Sequence, residues 1–355
     1  MKKIHVLLSN FLLVALLLNS TTFAQEKEDK AEKKSEKKEK QKYEHVKNRT
    51  ISQSYNVSAS DKLNLKNQFG KLVIKTWTRN EVKVDIRIEV TSNDQERLQE
   101  TFDNIDVKHG KDGNTVYFKT VMDKNKDKGD KKREGKNYSN TIDIDYEVSM
   151  PANLALNVEH QFGNLTIPDL TGPVDIEQQF GNLSAGKLSN PKNVEVRFGS
   201  AEIEGVNGGD YEFQFINNTA VIKNATGDIK VEVHHCKSNG VVIYAANTTS
   251  IDVDAQHSDV AIVVPKDMSA QFDVDTHFGS FKNNSSFTIK KEGDEDDDRR
   301  GPRFNYSYKG TSGGGKTKIT LDGNFTDFVI GHEAPPAKPK KSNTTTTTAK
   351  KVRSV

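Results

Sequence analysis

Five residues in the second half of the chain carry side chains suited to a metal ion: His234, His235, Cys236, His257 and His277. Imidazole nitrogen and thiolate sulfur are ligands for zinc or copper. Roughly twenty residues separate Cys236 from His257, and His257 from His277. If the chain climbs one strand spacing, about 4.8 Å, in each such interval, these groups stand on neighbouring levels within several ångströms of one another. The expectation is therefore a metal site at His235, Cys236, His257 and His277. The competing use of the same positions is a solvent-facing polar row, in which Gln68, Gln161, Gln179 and Gln256 also stand.

A second candidate is the carboxylate set Asp252, Asp254, Asp273 and Asp275, which alternates with apolar residues and could offer oxygens to calcium. The plainer use of that alternation is the wet side of a strand. The run Glu292–Asp298 lacks the spacing of a calcium-binding loop and reads as a solvated loop. Trp77, the one Trp, stands at a strand end and suits either a carbohydrate platform or a cap on the core. His-Glu-x-x-His and the dinucleotide-binding glycine fingerprint are absent. The abundant paired carboxylates carry little information on so charged a surface. A glycan-active enzyme built on stacked strands is thus the third functional class, behind a binding protein and a metal-responsive one.

What positions these residues is a repeat, and a repeat decides the fold before anything else does. Leu156–Ile167 (LNVEHQFGNLTI) is rewritten as Val174–Ala185 (VDIEQQFGNLSA), Ile251–Ile262 (IDVDAQHSDVAI) and Phe272–Phe281 (FDVDTHFGSF). Its Phe position is filled by Phe162, Phe180, Phe198, Asn217, Lys237, His257 and Phe278, at steps of 18 to 21 residues. The apolar position three beyond it reads Leu165, Leu183, Ala201, Ala220, Val241, Val260 and Phe281. Two further on stand Ile167, Ala185, Ile203, Ile222, Ile243 and Ile262, and the series fails at Asn283. A last copy, Ile319–Ile330, follows an interruption. Each unit holds two period-two runs divided by a corner, which is the pattern of half-buried strands. One unit cannot enclose a core, but stacked units build continuous apolar ladders. The expected fold is all-β, a parallel β-solenoid of about 18–21-residue coils with a β-rich N-terminal cap containing one short helix. The Phe row is expected inside it, and glycine after each Phe is expected to supply the positive φ of the corner.

The organisation follows. Residues 1–24 read as a signal peptide, with Lys2 and Lys3 before an apolar run over 4–18 and small residues at Thr22–Ala24. Residues 25–49 are a Lys/Glu/Asp-rich disordered spacer. Residues 50–150 form the cap, with a helix behind Asn93 and Asp94 that carries Leu98, Phe102 and Ile105, and with a Lys/Asp-rich loop over 122–138. Residues 151–331 are the solenoid, broken by an acidic and Gly-rich insert at about 291–315. Residues 332–355 are a flexible Pro-, Thr- and Lys-rich tail. No transmembrane segment is expected after signal cleavage.

The 355 residues contain 52 Lys and Arg against 50 Asp and Glu, and loss of Lys2 and Lys3 with the leader leaves the two equal. That balance gives no electrostatic reason to expect nucleic acid as a partner. With Cys236 alone, no internal disulfide is possible.

The stretch Gln161-Phe-Gly-Asn-Leu-Thr-Ile167, with Asn67-Gln-Phe-Gly-Lys-Leu-Val-Ile-Lys-Thr-Trp77 and Asn80–Asp85, resembles the repeat of the bacterial putative-adhesin domain family. The likeness spans about residues 50–330. It implies a secreted or periplasmic β-solenoid without catalytic residues, and it carries over no site. The resulting expectation is a non-enzymatic exported protein, in the periplasm or at the cell surface. It would act as an adhesin-like binding or scaffolding module toward an envelope or extracellular protein or glycan. The alternative is a periplasmic metal-binding or envelope-stress protein that uses the His/Cys cluster.

Overall fold

The structure is a computed structural model that describes residues 45–122, 139–214, 219–237, 240–292 and 304–336. The signal peptide, most of the charged spacer, Asn217, and nearly all of the 122–138 loop, the acidic run and the tail lie outside the described residues. The chain is all-β, with mostly parallel pairing and, among the described residues, one helix.

Two compact units are distinguished. The first draws on Ile86–Val107 with the described parts of Met1–Ile51 and Thr120–Ile144. It contains the helix Gln95–Asp103, which starts where Asp94 accepts a hydrogen bond from the Arg97 N–H through its side chain. That capping satisfies one of the donors a helix start leaves free. Leu98 and Phe102 are the buried face, and the cations of Lys47 and Arg49 lie over the Phe102 ring at 4.8 and 5.1 Å. A strand, His45–Asn56, begins inside the stretch expected to be spacer, because alternation in His45–Ile51 buries every second residue in part. The span 50–150 expected as one cap is divided between the two units.

The second unit carries the repeat. Ala155–Gln161 pairs in parallel with Leu170–Gln179, which pairs with Leu183–Arg197, then Ala201–Gln214, Ala220–His234 and Val241–Gln256. The register aligns Val158, Ile176, Val194, Tyr211, Val231 and Val253 in one buried column. Beyond the corner, Leu165, Leu183, Ala201, Ala220, Val241 and Val260 form a second column, as do Ile167, Ala185, Ile203, Ile222, Ile243 and Ile262. Residues about twenty apart are therefore neighbours across a strand pair. Lys62–Gln68 continues the stack on the other side of Ala155–Gln161.

The order at the far end departs from the sequence. The last copy, Thr317–Asn324 with Asp327–Gly331, lies between the strands Val241–Gln256 and Asp259–Val263 on one side and Ala270–His277 and Ser280–Asn284 on the other. The expected insert at 291–315 contains a strand, Asn305–Ser312, which runs antiparallel against Ala270–His277. Its alternating Tyr306 and Tyr308 supply the apolar face that the Gly-rich composition concealed. His332, expected in the flexible tail, is fixed by Nδ1 to the Val264 carbonyl at 2.9 Å and by Nε2, which accepts from the Ser286 N–H at 2.9 Å.

Candidate functional site

Among the described residues, the first strand of a repeat ends with a residue in left-handed conformation: Phe69, Phe162, Phe180, Phe198, His235, His257, Phe278 and Phe325 have φ between 49° and 64°. A bulky side chain at such φ costs about 1–2 kcal/mol. The corner is tied to the next level by its backbone, with the Phe162 N–H donating to the Gln179 carbonyl at 3.0 Å and the Phe180 N–H to the Arg197 carbonyl at 2.9 Å. The left-handed turn throws the ring outward. Phe162, Phe180 and Phe198 are each 45% exposed, which corrects the expectation of a buried Phe row.

The rings stack at the strand spacing. Phe69, Phe162, Phe180 and Phe198 succeed one another at centroid distances of 5.1, 4.8 and 4.9 Å with interplanar angles of 3–10°. A second row runs His235, His257, Phe325, Phe278 and Phe304 at 5.3, 4.9, 5.0 and 4.8 Å. Faces are covered by neighbours, so the row offers mainly ring edges to solvent, the positive side of the aromatic quadrupole. Strand register also corrects the alignment. Gln214, His234 and Gln256 pair in sequence, which puts His235 rather than Lys237 in the row. Phe215, which follows Gln214 in sequence, lies outside the described residues.

Except at Gly70, whose φ is 100° as expected, the glycine after each Phe has a different task from the one expected. A Cβ on Gly163 would lie 1.6 Å from the Gly70 carbonyl oxygen, on Gly181 1.8 Å from that of Gly163, and on Gly199 1.7 Å from that of Gly181. Glycine is required there by close approach of successive backbones, while the Phe carries the positive φ. Beneath the rings, the inward column begins polar: Gln178 is fully buried and donates from Nε2 to the Gly163 carbonyl at 2.8 Å. His160, its neighbour in register, is also fully buried, and burial pushes its pKa down to about 4.

The four expected metal ligands are only partly brought together. His235 and His257 stack with nearly parallel rings, so the lone pairs of their nitrogens run side by side rather than converge on one ion. Cys236 is fully buried, with Sγ against the carbonyls of His234 at 3.5 Å and Phe213 at 3.8 Å. His277 is separated from His257 by the inserted last copy, and its Nε2 lies 4.0 Å from Asp322 Oδ1. Among the described residues, no group of three His, Cys, Asp or Glu is placed to share a metal ion.

Two of the four expected carboxylates, Asp254 and Asp275, stand in a longer acidic column, while Asp252 and Asp273 stand in another with Thr320 between them. Register aligns Glu159, Glu177, Glu195, Glu212, Glu232 and Asp254, and the column continues through Asp322 to Asp275. Burial, aided by Glu212 and Glu177 against the opposing pull of Arg197, raises the Glu195 pKa. Burial and then Asp322 and Glu232 raise that of Asp254. Arg197 spans the column, reaching Glu195 at 2.5 Å and Glu212 at 3.5 Å. Trp77 donates from Nε1 to the Glu81 carbonyl at 2.7 Å, and the Arg79 guanidinium covers its ring at 5.1 Å. That covers one face of the ring.

Gly310-Thr-Ser-Gly-Gly-Gly-Lys-Thr317 satisfies by spacing both the Gly-x-Ser-x-Gly nucleophile elbow and the Gly-x-x-x-x-Gly-Lys-Thr phosphate loop. Both motifs need a helix to follow. Here a turn joins the strand Asn305–Ser312 to the strand Thr317–Asn324, and Thr317 Oγ1 donates to the Thr248 carbonyl at 2.7 Å. Neither chemistry is supported.

No family model matches the chain, and no curated protein does. Among solved structures it is similar to a putative adhesin from Bacteroides fragilis, at 12% identity over 79% of this chain and 97% of that one, with a TM-score of 0.32. A putative cell adhesion protein from Clostridium sporogenes is similar at 13% identity over 80% and 99%, with a TM-score of 0.21. A putative lipid binding protein from Parabacteroides distasonis is similar at 8% identity over 80% and 94%, with a TM-score of 0.27. The descriptions of the first two agree with the family that the Phe-Gly repeat resembles.

Proposed function

We propose that the protein is an exported, non-enzymatic β-solenoid that acts as an adhesin-like binding or scaffolding module through the aromatic row at its strand corners. The observation that carries this reading is the exposure of the rings. Phe162, Phe180, Phe198, Phe278, Phe304 and Phe325 are 44–52% exposed, although the core beside them takes apolar residues at almost every inward position. Ordered, exposed apolar groups in a contiguous line are a feature of interaction sites. A line of rings held on rigid strands loses little side-chain freedom on contact, which favours association. The polar positions beside the rings, Gln161, Gln179 and Arg197, give the row a hydrogen-bonding rim. The partner is an envelope or extracellular protein or glycan, and the leader at residues 1–24 accounts for delivery to it.

The test is binding of fluorescently labelled protein to intact bacterial cells and to a glycan array. The comparison is the triple variant Phe162→Leu, Phe180→Leu, Phe198→Leu, with its fold checked by circular dichroism. A loss of at least about tenfold in the folded variant is expected, in line with the energetic weight of a few aromatic anchors. Equal binding by both proteins, or none by the natural one, overturns the reading.

A further inference from the structure

The outward face of the second row of strands changes character along the stack. One outward column is polar at Thr166, Ser184 and Glu202 and apolar at Val242, Ala261 and Val329. The polar members are exposed, as an outward position should be. Val242 and Ala261 are only 9% and 5% exposed, and Val263, outward in the next column, is 8% exposed. Outward apolar residues stay dry only under a cover. Tyr244, Val329 and Ala334 pack against these three. Ala334 belongs to the segment His332–Pro336, which leaves the last strand, Asp327–Gly331, and lies on this face.

We propose that His332–Pro336 is a strap across this face, held by His332 at neutral pH and released by mild acid. The latch ties three neighbouring strands. His332 directly follows Asp327–Gly331. Its Nδ1 donates to the Val264 carbonyl at 2.9 Å, just past Asp259–Val263. Its Nε2 accepts from the Ser286 N–H at 2.9 Å, in the turn after Ser280–Asn284. The Phe287 ring stands edge-on to the imidazole at 5.3 Å. A neutral imidazole has one N–H and one bare nitrogen, so these two bonds fix its tautomer and require it uncharged. A second proton goes to Nε2 and points at a backbone N–H. The Ser286 hydroxyl, 3.0 Å from Nε2, is free to turn and accept, but the amide is not. One hydrogen bond is lost, and two donors face each other in its place. Charged groups on the adjoining elements do not offset this. Lys266, Asp267, Lys282 and Glu333 are exposed, and among the described residues none is recorded in contact with the ring. Asp259 and Asp327 stand at the opposite ends of their strands, bonded to Lys237 and Ser280. Imidazole is the side chain whose charge changes between about pH 5 and 8, so the latch responds to mild acid.

The inference is independent of what the aromatic row binds. Its test compares the full chain with His332→Gln, whose amide supplies the same donor and acceptor without titrating, at about pH 7.5 and about pH 5.5. His160, pushed down by burial to about 4, stays neutral over that interval. Circular dichroism checks the fold at each pH. Fluorescence of the apolar dye anilinonaphthalene sulfonate should rise at least about twofold in acid with the natural chain and stay level with His332→Gln. The rise should also vanish in the double variant Val242→Ser, Val263→Ser, in which the covered face is polar. No rise with the natural chain, an equal rise with His332→Gln, or an undiminished rise with the double variant each overturns the proposal. Hydrogen exchange of the unsubstituted protein gives a second reading in case a substitution disturbs folding. Corrected for the intrinsic pH dependence of exchange, protection of the Ser286 amide should fall by at least about fivefold over the same interval. Unchanged protection overturns the latch, whatever the dye reports.

Discussion

Phe180 offers a perturbation whose sign is diagnostic. In an ordinary strand, glycine is less stable than alanine by about 0.5–1 kcal/mol. At Phe180, with φ of 54°, the order should reverse. Removing the ring forfeits roughly half of the 1.5–3 kcal/mol that full burial of a Phe provides, because 45% of the residue is already exposed. It also removes two stacked contacts, to Phe162 at 4.8 Å and Phe198 at 4.9 Å. Each such contact is worth about 0.5–1.5 kcal/mol beyond its area. Phe180→Ala should therefore cost about 2–4 kcal/mol. Phe180→Gly loses the same contacts but regains the 1–2 kcal/mol of left-handed strain, set against about 0.4–1 kcal/mol from the freer unfolded chain. Glycine should come out more stable than alanine by about 0.5–1 kcal/mol. Urea unfolding followed by circular dichroism measures both. A glycine variant less stable than the alanine one would show that the row is not held at positive φ, and the outward rings would lose their structural cause.

Burial holds the His160 pKa at about 4 against an ordinary 6.5, so protonation favours the unfolded chain. Stability should be complete above pH 6.5, fall by about 3 kcal/mol as pH drops to about 4, and level off below. His160→Gln, which copies Gln178 one level away, should remove that part of the slope in urea midpoints taken between pH 7 and 4. Gly181→Ala forces a Cβ to within 1.8 Å of a backbone oxygen and should cost upward of about 4 kcal/mol, or abolish folding. Gly113→Ala, at a turn with φ of 52° and open space around it, should cost only about 1 kcal/mol by calorimetry. His257→Phe replaces the imidazole on one face of Phe325 with a phenyl ring, matching Phe278 on the other, and should raise the melting temperature, gaining about 0.5–1.5 kcal/mol from stacking without a polar edge to hydrate. A lowered melting temperature would indicate that the two imidazoles are there for stability rather than for contact.

The apolar columns were legible in the sequence because period two and a step near twenty residues are both properties of a one-dimensional string. Leu165, Leu183 and Ala201 align in space as they align on paper, and so do Ile167, Ala185 and Ile203. The direction of a side chain at a corner was not legible. Alternation assigns Phe180 by parity only while the backbone stays extended, and one left-handed residue breaks the parity. The pair Phe-Gly also misleads, because glycine is the residue usually credited with positive φ. Here a carbonyl of the adjacent level fills the place of its Cβ, a constraint that acts between residues eighteen apart. The histidine cluster failed to assemble for a related reason. His257 and His277 are adjacent copies in sequence, but Thr317–Gly331 enters between them, and no local pattern encodes a strand that arrives from forty residues downstream. Cys236 was aligned correctly to a level but not to a side, and its thiol points into the core. The outward carboxylates were read as four. Register places Asp254 and Asp275 in a column of eight, where Glu and Asp substitute freely, and puts Asp252 and Asp273 in another column that holds Lys230 and Thr320.

A stack in which every level repeats one template has a difficulty at its ends, where the outermost strand presents to solvent the same edge that every internal strand presents to its neighbour. Such an edge invites another chain to add in register. In the first row of strands this end is closed by reversal. Asn305–Ser312 runs antiparallel to Ala270–His277, and Lys309 falls opposite Asp273. Ile289–Lys291 then pairs antiparallel to part of the reversed strand and brings Lys290 and Lys291 to the edge. An antiparallel strand offers a different spacing of donors and acceptors from the slanted, even spacing a parallel copy needs. It therefore ends propagation without lacking partners of its own. This closure accounts for the insertion of the last copy. In that row a copy added after the reversed strand has no parallel edge left to join at that end. The reversal and the insertion are one topological solution, and a chain that had stacked its copies in sequence order would have left Thr317–Gly331 as an open template.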